Sequence, residues 1–413
     1  MKATDASKGA ANWALLVVLG CMLCQMGAGF FYASRALSAE VIGELGWTRT
    51  MWASGMAPML IVSSIGQVFV GAACVRFGVR PVVLASLICM AASVLVFGSM
   101  QSLSQFYLAM MLLALANAGL GDVSIGSVIT KWFERRRSMA LGFAMVGSNI
   151  GSIVYISAMS QILDDSTWRT AALTVGLGGV AIILPFALLV VRDPRPGEGV
   201  EAEELAGPLA ELPAESVTLG EAIRKPAFWI LFYSLFCYSL VQLGLVDQFV
   251  LYLTDLGYSE QEAFGALQLT VGAGIAAKLG AGLVGQFVSA KTSYLLNTGL
   301  LAISLMLVPF ASNGIVLTVF SVLFGLSTSS RDVLLPLAVA NAFGARHFAQ
   351  IYGLMILAFV PGGALGPLVL AEAHRVFGHY RPGFIACIVL TSIAFVLLVF
   401  LPREQERASA HAA

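Results

Sequence analysis

Twelve apolar runs, each of about 20 residues or more, follow one another along this chain. A run of that length crosses a hydrocarbon core of roughly 30 Å as one helix. The short alternation of apolar and polar residues that marks a membrane β-barrel strand is absent, and the runs are too uniformly apolar for such strands. Only 11% of the residues are charged and the mean hydropathy is +0.87, so the chain cannot cover a water-facing surface in the usual way. It reads as an all-α membrane protein of twelve transmembrane helices. The expected spans are 13–35, 51–75, 80–99, 105–130, 138–162, 169–191, 227–254, 262–288, 292–311, 314–341, 349–372 and 382–402. The polar residues 1–12 precede a first run too long for a signal-peptide core, so that run is expected to stay as the first membrane helix.

Residues 192–226 form the one long connection, with Pro194, Pro196, Pro208 and Pro213 beside Glu198, Glu201, Glu203 and Glu204. That composition predicts a solvated linker between a bundle over 1–191 and a second over 227–413. Net charge is zero, which gives no global field for a nucleic-acid partner. With the amino terminus in the cytoplasm, inner loops and tails hold 16 lysines and arginines and the outer side 5. This bias predicts that both ends lie inside. The six cysteines lie in apolar runs and read as small hydrophobes, Cys21 and Cys24 included, because their C-x-x-C spacing has no βα context. His347, His374, His379 and His411 lie in loops or the tail. No metal and no cofactor are expected.

The two halves are related. LGWT at 45–48 recurs as LGYS at 256–259, a shift of 211 that also carries Gln67 onto Lys278 and Arg80 onto Lys291. Asp122-Val123 recurs as Asp332-Val333 at a shift of 210. Parallel six-helix repeats imply two pseudo-symmetric bundles with a cavity between them near mid-depth, the plan of a rocking carrier.

Charges inside spans are the candidate functional residues. Lys278 lies about ten residues, or roughly 15 Å, from the cytoplasmic end of its helix, too far for its stem to reach water. A charge there costs at least about 3 kcal/mol unless it meets a wet cavity, a carboxylate or a substrate anion. Either it contacts substrate or it pairs with an acid and locks two helices together. Arg331 and Asp332 lie near mid-depth in the tenth span after Ser327, Thr328, Ser329 and Ser330. Adjacent residues point about 100° apart on a helix, so one is expected to line the path and the other to reach a neighbouring helix. Asp247, Asp122 and Asp332 are candidate proton carriers or ion-pair partners. Gln67, Asn117 and Tyr32 are candidate substrate contacts, as are Gln25, Asn149, Tyr155, Tyr238 and Tyr352, although helix packing accounts for any one of these equally well.

The connection between the second and third spans reads Gly71-Ala-Ala-Cys-Val-Arg76-Phe-Gly78-Val-Arg80-Pro81. It resembles the signature loop of the major facilitator superfamily, a conformational loop, with Val75 where an acid usually precedes the first arginine. WFERRRSMALGFAMVGSNIGS at 132–152, TWRTAAL at 167–173, KPAFWILF at 225–232, GGALGP at 362–367 and GHYRPGF at 378–384 resemble that superfamily's bacterial monocarboxylate-porter and oxalate:formate-antiporter-like branch. The resemblance implies a substrate-binding arginine in the eighth span, and Lys278 holds that position. Lysine keeps the charge but not the bidentate fork. An acid found one turn earlier in proton-coupled members falls at Gly274, and the second cation expected of dicarboxylate antiporters has no counterpart in 349–371.

The expectation is a monomeric secondary transporter in the lipid bilayer that carries a small organic anion, a monocarboxylate, with a proton. Exchange of anions is the first alternative. Carriage of a neutral or aromatic solute past Phe30, Phe31, Tyr32 and Trp52 is the second. An enzyme is disfavoured, because the chain shows no metal cluster, Ser/His pairing or nucleotide loop.

Overall fold

Backbone groups that cannot reach water must pair within their own segment, and helices take up nearly all of the described chain. The computed structural model describes residues 2–48, 51–52, 54–133, 136–163, 165–195, 198 and 217–401. Among them, twelve helices are long and apolar enough to cross a membrane.

Contacts group the chain into two units, Met1–Ser216 with Ala345–Leu354, and Val217–Gly344 with Met355–Ala413. The first holds α1 (Lys2–Ala36), α2 (Ser38–Leu45), α3 (Met56–Phe77), α4 (Val79–Ser99), α5 (Leu103–Leu120), α6 (Asp122–Trp132), α7 (Arg137–Leu163) and α8 (Trp168–Leu189). The second holds α9 (Leu219–Arg224), α10 (Pro226–Asp255), α11 (Glu260–Val284), α12 (Ala290–Leu307) and α13 (Gly314–Phe343). After α14 (Phe348–Met355) it continues with α15 (Phe359–Phe377) and α16 (Arg381–Val399). Helix starts carry the chemistry that orphan N–H groups need. Ser102 with Gln105 and Ser259 with Glu262 form capping boxes, and the Asn313 side chain accepts from Ile315 and Val316.

The burial pattern is that of a protein dissolved in lipid. Phe69, Ile88 and Phe400 are each 71% exposed, whereas hydroxyls and amides turn inward and bond between helices. Ser93 on α4 donates to the Ala109 carbonyl on α5 at 2.8 Å. Tyr252 on α10 donates to the Val308 carbonyl at 2.6 Å.

Within each unit the first and fifth membrane helices meet on glycine. An added Cβ at Gly147 or Gly151 would overlap the Met22 or Met26 carbonyl of α1, and one at Gly29 would overlap the α7 backbone. In the second unit Gly244, Gly362 and Gly366 make the same approach between α10 and α15. Each of these follows its counterpart by 215 residues, as 29 to 244, 147 to 362 and 151 to 366. Close helix contact on small residues thus repeats along with the sequence.

Three expectations from sequence are corrected. The span 105–130 is not one helix: α5 stops and α6 restarts around Gly121, which is extended at φ −90° and ψ −158°. Glycine at the cap and Asp122 in the first turn together favour a new helix start there. The span 349–372 is divided by a 3-10 turn at Ile356–Ala358. The connection 192–226 is not solvated throughout, because its first residues are bonded to the bundle and its last form α9 behind a Thr218/Glu221 capping box. Glu201, Glu203 and Glu204 lie outside the described residues.

Candidate functional site

The second unit contains a charge cluster of two buried cations and one half-buried carboxylate. Its geometry begins with small residues on α13. An added Cβ at Gly325 would overlap the Thr270 carbonyl of α11, and Ser330 Oγ donates to the Ala277 carbonyl at 3.3 Å. This seam draws α11 against α13 and aligns Lys278 with Asp332. Lys278 Nζ lies 2.9 Å from Asp332 Oδ2, and Arg331 Nη2 lies 2.8 Å from Asp332 Oδ1. One carboxylate therefore gives an oxygen to each of two cations. Lys278 is 4% exposed and Arg331 6%.

Arg331 is also held through its faces. Its guanidinium carbon stands 4.6 Å from the Tyr238 ring centroid and 5.1 Å from that of Phe359, within cation–π range. Tyr238 in turn donates its hydroxyl to the Thr328 carbonyl at 2.6 Å. Pairing and ring contact offset the large penalty of burying charge, which an isolated cation at this depth does not escape. Asp332 reaches the neighbouring helix, as expected of one of the two adjacent residues. The two also bond to each other, a contact that side-chain rotation allows despite their 100° separation on the helix.

The repeat mate of Asp332 is satisfied differently. Asp122, the first residue of α6, accepts from Gln25 Nε2 of α1 at 3.1 Å, and Gln25 is 2% exposed. The same nitrogen lies 3.0 Å from Met145 Sδ. Neutral amide stands in one unit where two cations stand in the other. Asn117 Oδ1, on α5 just before the break, is buried with no hydrogen-bond partner among the described residues. Gln67 is half-buried on α3, and an added Cβ at Gly353 would lie 2.5 Å from its carbonyl oxygen. The side chains of Tyr32 and Asp247 lie outside the described residues.

The connection after α3 is tied down from downstream. Gly78, at φ +83°, turns the chain into α4. Val79 N–H donates to Asp193 Oδ2 at 3.0 Å, and Lys131 Nζ pairs with Asp193 Oδ1 at 2.6 Å. Arg80 donates to the Val191 and Leu189 carbonyls, both at 3.3 Å. These include the end of α8, where orphan carbonyls need donors. Trp132 Nε1 donates to the Arg192 carbonyl at 2.8 Å, and Arg192 pairs with Glu198 at 2.6 Å. Arg76 is exposed and lies over the Phe77 ring at 5.1 Å. An added Cβ at Gly71 would overlap the Ala349 carbonyl of the same unit. The carboxylate bonded to this loop comes from Asp193, just after α8, whereas position 75 is valine. No motif marks Asp193, and its one local signal in the sequence is the polar Arg192-Asp193-Pro194 after the sixth span.

A family model described as the Major Facilitator Superfamily matches residues 17–291, about two thirds of the chain. The chain belongs to the Major Facilitator Superfamily. Members of this superfamily are transporters, not enzymes, and the twelve membrane helices make this a multi-pass membrane protein. Monocarboxylate transporter 13 of Rattus norvegicus is 25% identical over 375 residues, which cover 90% of this chain and 83% of that protein. The oxalate:formate antiporter of Oxalobacter formigenes is 26% identical over 316 residues, 71% of this chain and 69% of that one. The superfamily fold recurs in solved structures. The E. coli fucose:proton symporter superposes with a TM-score of 0.71 at 13% identity, covering 94% of this chain and 99% of that one. The human organic anion transporter does so with a TM-score of 0.71 at 15% identity, covering 93% and 98%.

Proposed function

We propose that this superfamily member is a secondary active transporter that carries a small monocarboxylate by alternating access, together with a proton. The observation that carries the reading is the single Asp332 carboxylate shared by Lys278 and Arg331. Cations already arranged around a carboxylate fit a second carboxylate without reorganisation, so a substrate anion exchanges for Asp332 at little cost in buried charge. Protonation of Asp332 frees both cations at the moment the anion arrives. One proton and one monoanion enter together, and the buried charge stays constant. The names of the monocarboxylate transporter and the oxalate:formate antiporter support a carboxylate cargo. Oxalate:formate exchange by the latter makes anion exchange the second reading.

The remaining elements of the proposal follow from the sequence. The transporter is a monomer of two six-helix bundles, 1–191 and 227–413, joined by 192–226. Both termini face the cytoplasm of a bacterial cell. Asn117, Gln67 and Tyr32 contribute polar contacts, Asp122 and Asp247 are ion-pairing or proton-coupling groups, and Gly71, Arg76, Gly78 and Arg80 form a conformational loop.

The test is uptake of labelled L-lactate into proteoliposomes at equal protein content. Lys278→Ala abolishes uptake and Lys278→Arg retains part of it, since charge is kept and geometry changed. Undiminished uptake by the alanine variant rejects the reading. A protonophore collapses accumulation under symport. Uptake that ignores the protonophore but quickens in vesicles preloaded with formate identifies exchange instead.

A further inference from the structure

Between α10, α12, α13 and α16, beside Arg331, the second unit contains a small cavity of about 10 Å³, where polar groups from Ser234 to Thr391 share the wall with Leu301 and Ala394. That is the room of one water molecule. The hydrogen-bonding capacity of its wall identifies the occupant. Ser234 donates its proton to the Leu231 carbonyl, so Tyr294 donates to Ser234 across their 2.9 Å contact. Thr298 donates to the Tyr294 carbonyl at 3.0 Å. Asn297 donates from Nδ2 to the Ser327 carbonyl at 3.0 Å, which leaves its own carbonyl oxygen to accept. A hydroxyl has one proton, so Ser234, Tyr294, Thr298 and the Asn297 oxygen present lone pairs. Arg331, which carries donors alone, and Thr391 complete the polar part of the lining. Thr391 is 1% exposed, and its Oγ1 has no hydrogen-bond partner among the described residues.

An anion in this space would face a wall of lone pairs, and a cation would face Arg331. A molecule that both donates and accepts satisfies every side. We propose that the cavity holds one ordered water that bonds Thr391 Oγ1 and bridges the Arg331 guanidinium to the acceptors on α10 and α12. Thr391, Tyr294 and Asn297 are then positioning residues for Arg331. Through the water they hold the guanidinium, which Asp332 and the Tyr238 and Phe359 rings also contact. The effect on transport rests on Arg331 being part of the anion site, whereas the water itself does not.

Thr391→Val removes the hydroxyl at nearly constant volume, and Thr391→Ser keeps it. In purified full-length protein, a structure at a resolution that shows solvent is expected to contain a density peak within hydrogen-bond distance of Thr391 Oγ1 in the wild type and in Thr391→Ser, and none in Thr391→Val. The valine variant melts a few degrees lower and the serine variant at the wild-type temperature. In L-lactate uptake, valine raises KM about two- to tenfold at an unchanged maximal rate, and serine restores it. A wild-type cavity without a peak, a valine variant that melts like the wild type, or a melting temperature that rises when chloride replaces gluconate overturns the proposal. If the wild type moves no L-lactate, the transport reading fails, and density and melting still decide the water.

Discussion

A double-mutant cycle on Lys278 and Asp332 separates an anion contact from a permanent lock between helices. Lys278→Ala leaves Asp332 with Arg331 at 2.8 Å. Breaking a buried pair by removing one partner costs about 3 to 5 kcal/mol, and the surviving guanidinium puts this loss near 3 kcal/mol. Asp332→Ala leaves two cations converging on a lost acceptor and costs about as much. The two truncations remove one shared interaction, so the double variant is expected about 3 kcal/mol more stable than the sum of the singles predicts. Chemical unfolding in detergent measures that term. Transport then discriminates between the readings. A carboxylate loses about 1.5 to 3 kcal/mol with one charge-assisted hydrogen bond, which is about a 10- to 150-fold rise in KM at 1.4 kcal/mol per decade, enough to abolish uptake of labelled L-lactate at trace concentration. The double variant is therefore expected to be about as stable as either single variant, and still to lack L-lactate uptake. Uptake by the double variant at the wild-type level would show that the pair does nothing but join α11 to α13, and the proposed site would be wrong.

Two further outcomes test the scaffold. Asp193→Ala removes both the acceptor for Val79 N–H and the partner of Lys131. It is expected to lower stability by about 1 to 2 kcal/mol, as loss of a helix cap does, read as a drop in melting temperature that Asp193→Asn reproduces in part. The Arg192 guanidinium bonded to Glu198 holds its carboxyl below the usual carboxylate range. A carboxyl depressed in the folded state contributes stability above its ordinary pKa of about 4.3, and the contribution is lost as pH falls through the folded value. Arg192 lies over the Trp132 ring at 5.2 Å, so tryptophan fluorescence is expected to show an acid transition below about pH 4.3 that Glu198→Gln abolishes. Coincident curves for the two proteins would refute the assignment.

The spans, their number and the repeat were legible because hydropathy and recurrence act over stretches of residues. Hydropathy also concealed the break at Gly121. Gly121-Asp122 is a helix-start signature, but averaged over its apolar neighbours it disappears. Lys278 and Asp332 were both conspicuous as charges within apolar spans, yet their pairing was not, because 54 positions separate them and the register comes from the packing of α13 on α11, with Gly325 and Ser330 at the seam. The acid at Asp193 was hidden for a similar reason. The loop it serves lies more than 110 residues upstream, and nothing local to Val75 points to a substitute. Gln25 was one polar residue among several until α1 came against α6.

The tenth span, which carries Arg331 and Asp332, is one helix of 30 residues, Gly314–Phe343. At 1.5 Å per residue it is about 45 Å long, against a core of roughly 30 Å. Tilt alone would have to reach about 48°, beyond the range of about 0 to 40° found for membrane helices. At least one end of it therefore stands in the headgroup layer. A thicker membrane would wet less of this helix without dragging its charged middle toward the interface, which makes the depth of Arg331 and Asp332 insensitive to lipid chain length.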